Sequence, residues 1–359
     1  MERRKVKVLI ADDSAFMRIF LGDIIAGNSG LELVATARDG EDALLKIKKY
    51  KPDVVTLDVE MPRLNGVETL KRIMQENPLP VIMVSSFTRQ ESEITVETLA
   101  LGAVDFVAKP SQFTDDFTRE FKHELPLKIT HAARAHLDHR QSYTVSVEKK
   151  SSLSLRRKDA LPSPPLSPMH AARFIVAIGA STGGPRSLEM VLKGLPADLP
   201  ATAFITQHMP PGFTRSLAER LDKVCPVKVK EAAHGERIME SQAYLAPGGF
   251  HLLAEKRGVV SLSEDAPVNH VRPSADVMME SLAEAYGPSV VGIILTGMGR
   301  DGSDGMAMIK EKGGRTIVQD PATAVIPSMP QAVIQRGLAD KIVPLEQIAN
   351  TIELLLRQE

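Results

Sequence analysis

The chain has 359 residues, which exceeds what one hydrophobic core usually serves and predicts two domains of ordinary size. Its 44 basic residues nearly balance 45 acidic ones, and a net charge of -1 provides no long-range field to gather nucleic acid or anionic lipid. A lone cysteine, Cys225, excludes an internal disulfide or a cysteine metal cluster and suits a reducing compartment.

The basic N-terminus leads into an apolar run at 8–11 that Asp12 and Asp13 interrupt at once, so it is read as a strand and not as a secretory leader. No stretch approaches the length of a membrane span, which predicts a soluble, cytoplasmic protein without direct membrane insertion. Strands are predicted at 7–11, 33–37, 54–57, 81–85 and 105–108, with helical patterns between them and a last helix from about 114. Such alternation implies a doubly wound (βα)5 domain with a parallel sheet, over residues 1–122. Residues 123–170 read as the end of a helix followed by a linker, because a proline cluster and scattered basic residues keep that segment extended and solvated.

A second α/β domain, Rossmann-like with a parallel sheet, is predicted over 171–359. Its strands fall at 174–179, 202–207, 227–230, 290–296 and 315–318. Between them, 243–263 is broken by glycines and Pro247, and resembles antiparallel hairpins appended to the sheet. An amphipathic helix at 345–356 closes the chain.

In a doubly wound sheet the carboxyl ends of strands share one crevice. Asp12 and Asp13 follow the first strand, Asp58 ends the third, Ser85 the fourth and Lys109 the fifth, so all five groups meet at one edge. Three carboxylates repel unless a divalent cation and a lysine offset them, which implies Mg²⁺. Asp58 is then a nucleophile toward a phosphoryl group whose oxygens Ser85 and Lys109 hold. Residues 5 to about 122 resemble the receiver domain of response regulators, in Asp12-Asp13-Ser14, the segment from Asp58 to Gly66, Ser85-Ser86 and the segment from Asp105 to Pro110. The resemblance implies that Asp58 is the phosphoacceptor, that Asp13 and the Glu60 carbonyl bind Mg²⁺ with Asp12 acting through a water, and that Phe106 is the switch aromatic.

In the second domain, Gly179-x-Ser181-x-Gly183 is a strand-to-helix elbow that exposes a serine at the sheet edge. A serine needs a base. His208 follows the neighbouring strand; His234, His251 and His270 are weaker candidates, and the last two either contact substrate or are merely solvated. Asp301, in the turn after the strand at 290–296, is the orienting acid, and backbone amides of Thr182 and Met298 face the space for an oxyanion. Gly297-x-Gly299-x-x-Gly302 also satisfies a dinucleotide fingerprint, with Asp320 near the ribose position, but too little chain follows it and it leaves Ser181 and His208 unexplained. The run from Gly179 to Ser187 lacks the lysine of a phosphate loop.

The segments around Ser181, His208, Pro247-Gly248-Gly249, Arg272-Pro273-Ser274-Ala275-Asp276 and Thr296 to Gly302 resemble the CheB family of chemotaxis methylesterases. That resemblance implies a phosphorylation-activated serine esterase acting on glutamate γ-methyl esters of methyl-accepting chemotaxis receptors, with a related glutamine deamidase activity. It also implies a chemotaxis histidine kinase as phosphodonor, no cofactor in the esterase site, and a receiver that occludes the catalytic cleft until phosphorylated. A rival reading, a receiver feeding a DNA-binding output domain, is disfavoured by the absence of a basic excess or a compact helix-turn-helix tail.

Overall fold

The computed structural model describes residues 4–86, 88–109, 115–135 and 174–357. The predicted linker at 138–170 and Pro110 lie outside these residues.

The first domain runs β1 (Val6–Ala11), α1 (Ala15–Ala26), β2 (Leu31–Ala37), α2 (Gly40–Tyr50), β3 (Val54–Asp58), α3 (Gly66–Glu76), β4 (Val81–Ser85), α4 (Arg89–Leu101), β5 (Asp105–Ala108) and α5 (Asp115–Ala132). The sheet is parallel in the order β2-β1-β3-β4-β5, so strand order reverses between β1 and β3. Both faces of β3 and β4 are buried, which explains why apolar residues dominate them without strict alternation, and Ser14, Asp39, Asn65 and Thr88 each cap the helix that follows them. Helix α5 continues ten residues beyond the predicted domain end at 122, to Ala132.

The second domain runs β6 (Ile175–Ala180), α6 (Gly184–Lys193), β7 (Thr202–Gln207), α7 (Phe213–Val224), β8 (Lys228–Glu231), β9 (Gln242–Leu245), β10 (His251–Glu255) and β11 (Val259–Ser263). There follow α8 (Ala275–Tyr286), β12 (Val290–Ile294), α9 (Ser303–Glu311), β13 (Arg315–Gln319), α10 (Ser328–Gln335), β14 (Lys341–Val343) and α11 (Ile348–Arg357). Seven of these strands form one parallel sheet in the order β14-β13-β12-β6-β7-β9-β8. Strand β6 therefore lies at the reversal of strand order, with β7 on one side and β12 on the other. The edge strand β14, three residues between Asp340 and Pro344, is too short to show a strand pattern in the sequence.

One expectation needs correction. The hairpin falls at β10 and β11, which pair antiparallel, but 243–245 are not part of it: β9 pairs parallel with β7 and β8 inside the main sheet. Gly249 serves a turn, with φ of 87°, but Gly248 has another cause. A Cβ on Gly248 would stand 2.4 Å from the backbone of Pro210 and Pro211, in the loop behind His208. Close backbone approach requires the glycine.

The two domains touch. Helix α4 packs on α7, where the hydroxyls of Ser92 and Ser216 lie 2.9 Å apart, and the ring of Phe106 stacks on that of Phe213 with centroids 4.5 Å apart. Replacing Gly248 with alanine forces the loop at 210–211 outward. A loss of about 1–3 kcal/mol is expected, with a lower thermal midpoint, measurable by calorimetry.

Candidate functional site

At the crevice of the first sheet, carboxylate oxygens of Asp12, Asp13 and Asp58 lie within 4.8 Å of one another. Lys109 reaches them, 2.7 Å from Asp58 and 3.1 Å from Asp12. Burial pushes the Asp58 carboxyl up to about 7; Lys109 opposes the rise and Asp12 adds to it. Burial works against the Lys109 ammonium as well, but Asp58 and Asp12 outweigh it and hold the group above its ordinary value. Three carboxylates against one ammonium leave an excess of negative charge on a set of hard oxygen donors, which suits a small divalent cation. Glu60 lines a cavity of about 420 Å³ together with Asp13, Met61 and Asn65, so its backbone stands at the same opening.

Ser85 is fully buried and engaged with α4. Its hydroxyl accepts from Thr95 at 2.7 Å and donates to Glu91 at 3.2 Å, and none of its side-chain hydrogen bonds among the described residues runs to Asp58. Phe106 is buried between Phe213 of the second domain and the Lys128 ammonium, which lies 5.3 Å from its ring centre.

In the second domain Ser181 follows β6, His208 follows β7 and Asp301 lies in the turn after β12. The register of β6 on β7 pairs Ala180 with Gln207, so Ser181 and His208 leave adjoining strand ends side by side. The side chain of Gln207 donates to the Ser181 carbonyl at 2.9 Å and braces the turn. His208 Nε2 lies 2.8 Å from Asp301 Oδ2. This is the reverse of the Nδ1 pairing of chymotrypsin-type triads, and it leaves Nδ1 as the nitrogen available to a nucleophile. No hydrogen bond joins the Ser181 hydroxyl to His208 among the described residues; such contacts are often loose without substrate.

Asp301 is buried at 3% exposure. Burial opposes its charge, yet the hydrogen bond and charge of His208, together with donors from Ser274 and Ala275, hold the carboxyl well below the usual range. A Cβ on Gly297 would approach Ser181 Cβ to 2.8 Å, so only glycine lets the turn carrying Asp301 cross the serine. Among the described residues no acceptor takes the amide hydrogens of Thr182 or Met298, leaving both able to face a ligand oxygen. The Thr182 side chain is committed elsewhere: its hydroxyl donates to Asp105 of the first domain at 2.5 Å, and the neighbouring Gly183 amide donates to the Val104 carbonyl at 3.2 Å.

The weaker histidines separate. His251 is buried, accepting from the Ser274 amide at Nδ1 and placing Nε2 3.2 Å from the Ala266 carbonyl, so it neither meets solvent nor lines the serine turn. His234 and His270 are exposed. Three residues that sequence reasoning missed surround Asp301: Asn269, Ser274 and Asp276. Ser274 and Asp276 carry a signal, since both fall in the segment from Arg272 to Asp276 that bears the family resemblance; Asn269 carries none.

The fold and these sites define a class of protein, a phosphorylation receiver followed along the chain by an α/β hydrolase domain. Family models described as Response regulator receiver domain and CheB methylesterase match residues 8–118 and 176–352. The chain is 46% identical over 355 residues to a protein-glutamate methylesterase/protein-glutamine glutaminase of Pyrococcus horikoshii, covering 97% of this chain and 93% of that one. A protein of the same name from Symbiobacterium thermophilum is 44% identical over 98% of this chain and 97% of its own. The crystal structure of the Thermotoga maritima CheB methylesterase catalytic domain, 44% identical, aligns with a TM-score of 0.50 over 51% of this chain and 98% of that one. The chain belongs to the CheB methylesterase family. It is an enzyme of the ester-hydrolase type, and its receiver domain implies control by phosphorylation. No helix among the described residues is long and apolar enough to cross a membrane.

The depressed Asp301 carboxyl fixes a pH dependence. A group held below its unfolded value of about 3.9 contributes stability that is present above that pH and lost as pH falls through the folded value. Urea unfolding of wild type between pH 5 and 3 is expected to show a steeper loss of stability than Asp301→Asn over the same window; equal slopes would refute the assignment.

Proposed function

We propose that this chain hydrolyses glutamate γ-methyl esters on methyl-accepting chemotaxis receptors in the cytoplasm, deamidates selected glutamines there, and is activated by phosphoryl transfer to Asp58 from a chemotaxis histidine kinase. The observation that carries the reading is the 2.8 Å His208–Asp301 pair beside Ser181 at the switch point of the second sheet. Ser181 Oγ attacks the ester carbonyl while His208 Nδ1 takes its proton, and Asp301 steadies the imidazolium that forms. The amides of Thr182 and Met298 receive the oxyanion, each such donor being worth about 10²-fold or more in rate. The intermediate collapses with proton return from His208, releasing methanol from an ester or ammonia from a glutamine. Water, deprotonated by the same histidine, then frees the carboxylate and Ser181.

Control follows from what α4 holds. Phosphorylated Asp58 recruits Lys109 and Ser85, and Ser85 reaches it only by leaving Thr95 and Glu91 of α4. The same helix packs on α7, and Phe106 and Asp105 of β5 touch Phe213 and Thr182, so a shift there loosens the grip on the nucleophile turn. Asp13, Asp58 and the Glu60 carbonyl, with Asp12 through a water, would hold Mg²⁺, which supplies the positive charge that lets a phosphoryl group approach these carboxylates. The balanced charge gives no reason to invoke nucleic acid as a partner.

Methanol release from methylated receptor by Ser181→Ala is expected to fall by about 10³-fold or more, and a retained rate would sink the reading. Asp105→Ala, which cuts the bond to Thr182, is expected to raise the rate without phosphodonor and shrink the stimulation by a small-molecule phosphodonor with Mg²⁺. Asp58→Asn is expected to abolish that stimulation.

A further inference from the structure

Asp301 rests where two helices begin. Its Oδ2 accepts from the Ala275 amide at 2.6 Å besides facing His208, and its Oδ1 accepts from the Ser274 hydroxyl at 2.6 Å, the Asn269 side-chain amide at 3.2 Å and the Asp276 amide at 3.3 Å. Three of these donors belong to the first turn of α8 and come with it. Asn269 does not: it lies in the loop between β11 and α8 and reaches the carboxylate from outside the helix.

Asp276 reciprocates. Rooted in α8, its carboxylate accepts from the amides of Asp304 and Gly305 at the start of α9, both at 2.8 Å, while Asp301, rooted just before α9, sits on the start of α8. This exchange brings two buried carboxylates together, and the Asn269 amide bridges them, donating to Asp276 Oδ2 at 2.8 Å as well as to Asp301. The amide cannot turn over freely, because its oxygen accepts from Arg300 Nε at 3.4 Å. Burial first, and then the charge of Asp301, push the Asp276 carboxyl up to about 7.

We propose that Asn269 is a positioning residue for the esterase reaction: its amide bridges Asp301 and Asp276 and so keeps Asp301 Oδ2 aimed at His208. The proposal rests on the reading of Asp301 as the acid that orients His208. The competing account is local. Asn269 and His270 have φ of 53° and 65°, left-handed values that asparagine tolerates better than most residues, so Asn269 would serve the turn alone.

Asn269→Gly separates the two, since glycine keeps the left-handed turn and deletes the amide. In the full-length protein, with phosphodonor and Mg²⁺ held constant, methanol release from methylated receptor is expected to lose about tenfold in kcat with little change in KM. The acidic limb of kcat/KM is expected to move to higher pH. Without the donor, more negative charge faces the imidazolium, among neighbours that include Asp276 and Glu280 on α8, Asp304 on α9 and Arg300 in the turn. Asn269→Asp, equally suited to the turn, puts a third carboxylate there and is expected to move the limb further. In an Asp301→Ala background Asn269→Gly is expected to cost nothing more, because its effect runs through Asp301. Wild-type kcat with an unmoved limb in a folded Asn269 variant, or full additivity with Asp301→Ala, would overturn the proposal. Wild-type activity of Asp301→Ala alone would instead remove the triad reading beneath it.

Discussion

The site depends on one constraint of parallel sheets: the strand that sits at the reversal of order has neighbours whose connections leave in opposite directions. In the second domain that strand is β6, with β7 on one side and β12 on the other. A crevice opens above its carboxyl end, and Ser181 stands in it. His208 arrives from the adjacent β7, but Asp301 comes from β12, two strand spacings or about 10 Å away, with Ser181 between. The aspartate reaches the histidine only because the turn after β12 crosses over the serine, and Gly297 makes that crossing sterically possible.

An aspartate carried so far on a turn would have many orientations unless something held it. The first turn of α8 does so, offering backbone amides and the Ser274 hydroxyl to a carboxylate that burial alone would drive toward its neutral form. The helix start thus performs two tasks with one set of donors, stabilising the anion and fixing which oxygen His208 sees. His251 supports it from behind by accepting the Ser274 amide, which is why a buried histidine far from the serine still belongs to the same network.

Much of this is legible in the residues alone. Strand ends carry position, so Asp12, Asp13, Asp58, Lys109, Ser181 and His208 each fall on the correct edge once the strands are drawn. Asp301 follows because a strand and a glycine-rich turn precede it. What escapes is of two kinds. Gly248 misleads because a turn and a close backbone approach call for the same residue, and only coordinates tell them apart. Asn269, and the role of Asp276, escape because their partners come from other elements: a polar residue in a loop and an acid in a helix's first turn are ordinary in sequence and become unusual only when folding sets both beside Asp301.

The contact between the domains repeats the logic of the site in weaker form. Thr182, one residue past Ser181, is tied to Asp105, while Lys128 pairs with the same aspartate at 3.2 Å and lies over Phe106, whose other neighbour is Phe213. A single polar bond of this kind contributes about 1.5–3 kcal/mol and an aromatic pair about 0.5–1.5 kcal/mol beyond burial. Those magnitudes match the few kcal/mol by which a regulatory equilibrium is ordinarily biased. Under the control proposed above, a far stronger clamp would hold the Ser181 turn whatever happened at Asp58, and a far weaker one would never restrain it. The placement matters as much as the strength: because the bond is made by the residue next to Ser181, a small displacement of β5 is felt at that turn without being relayed through the core of the second domain.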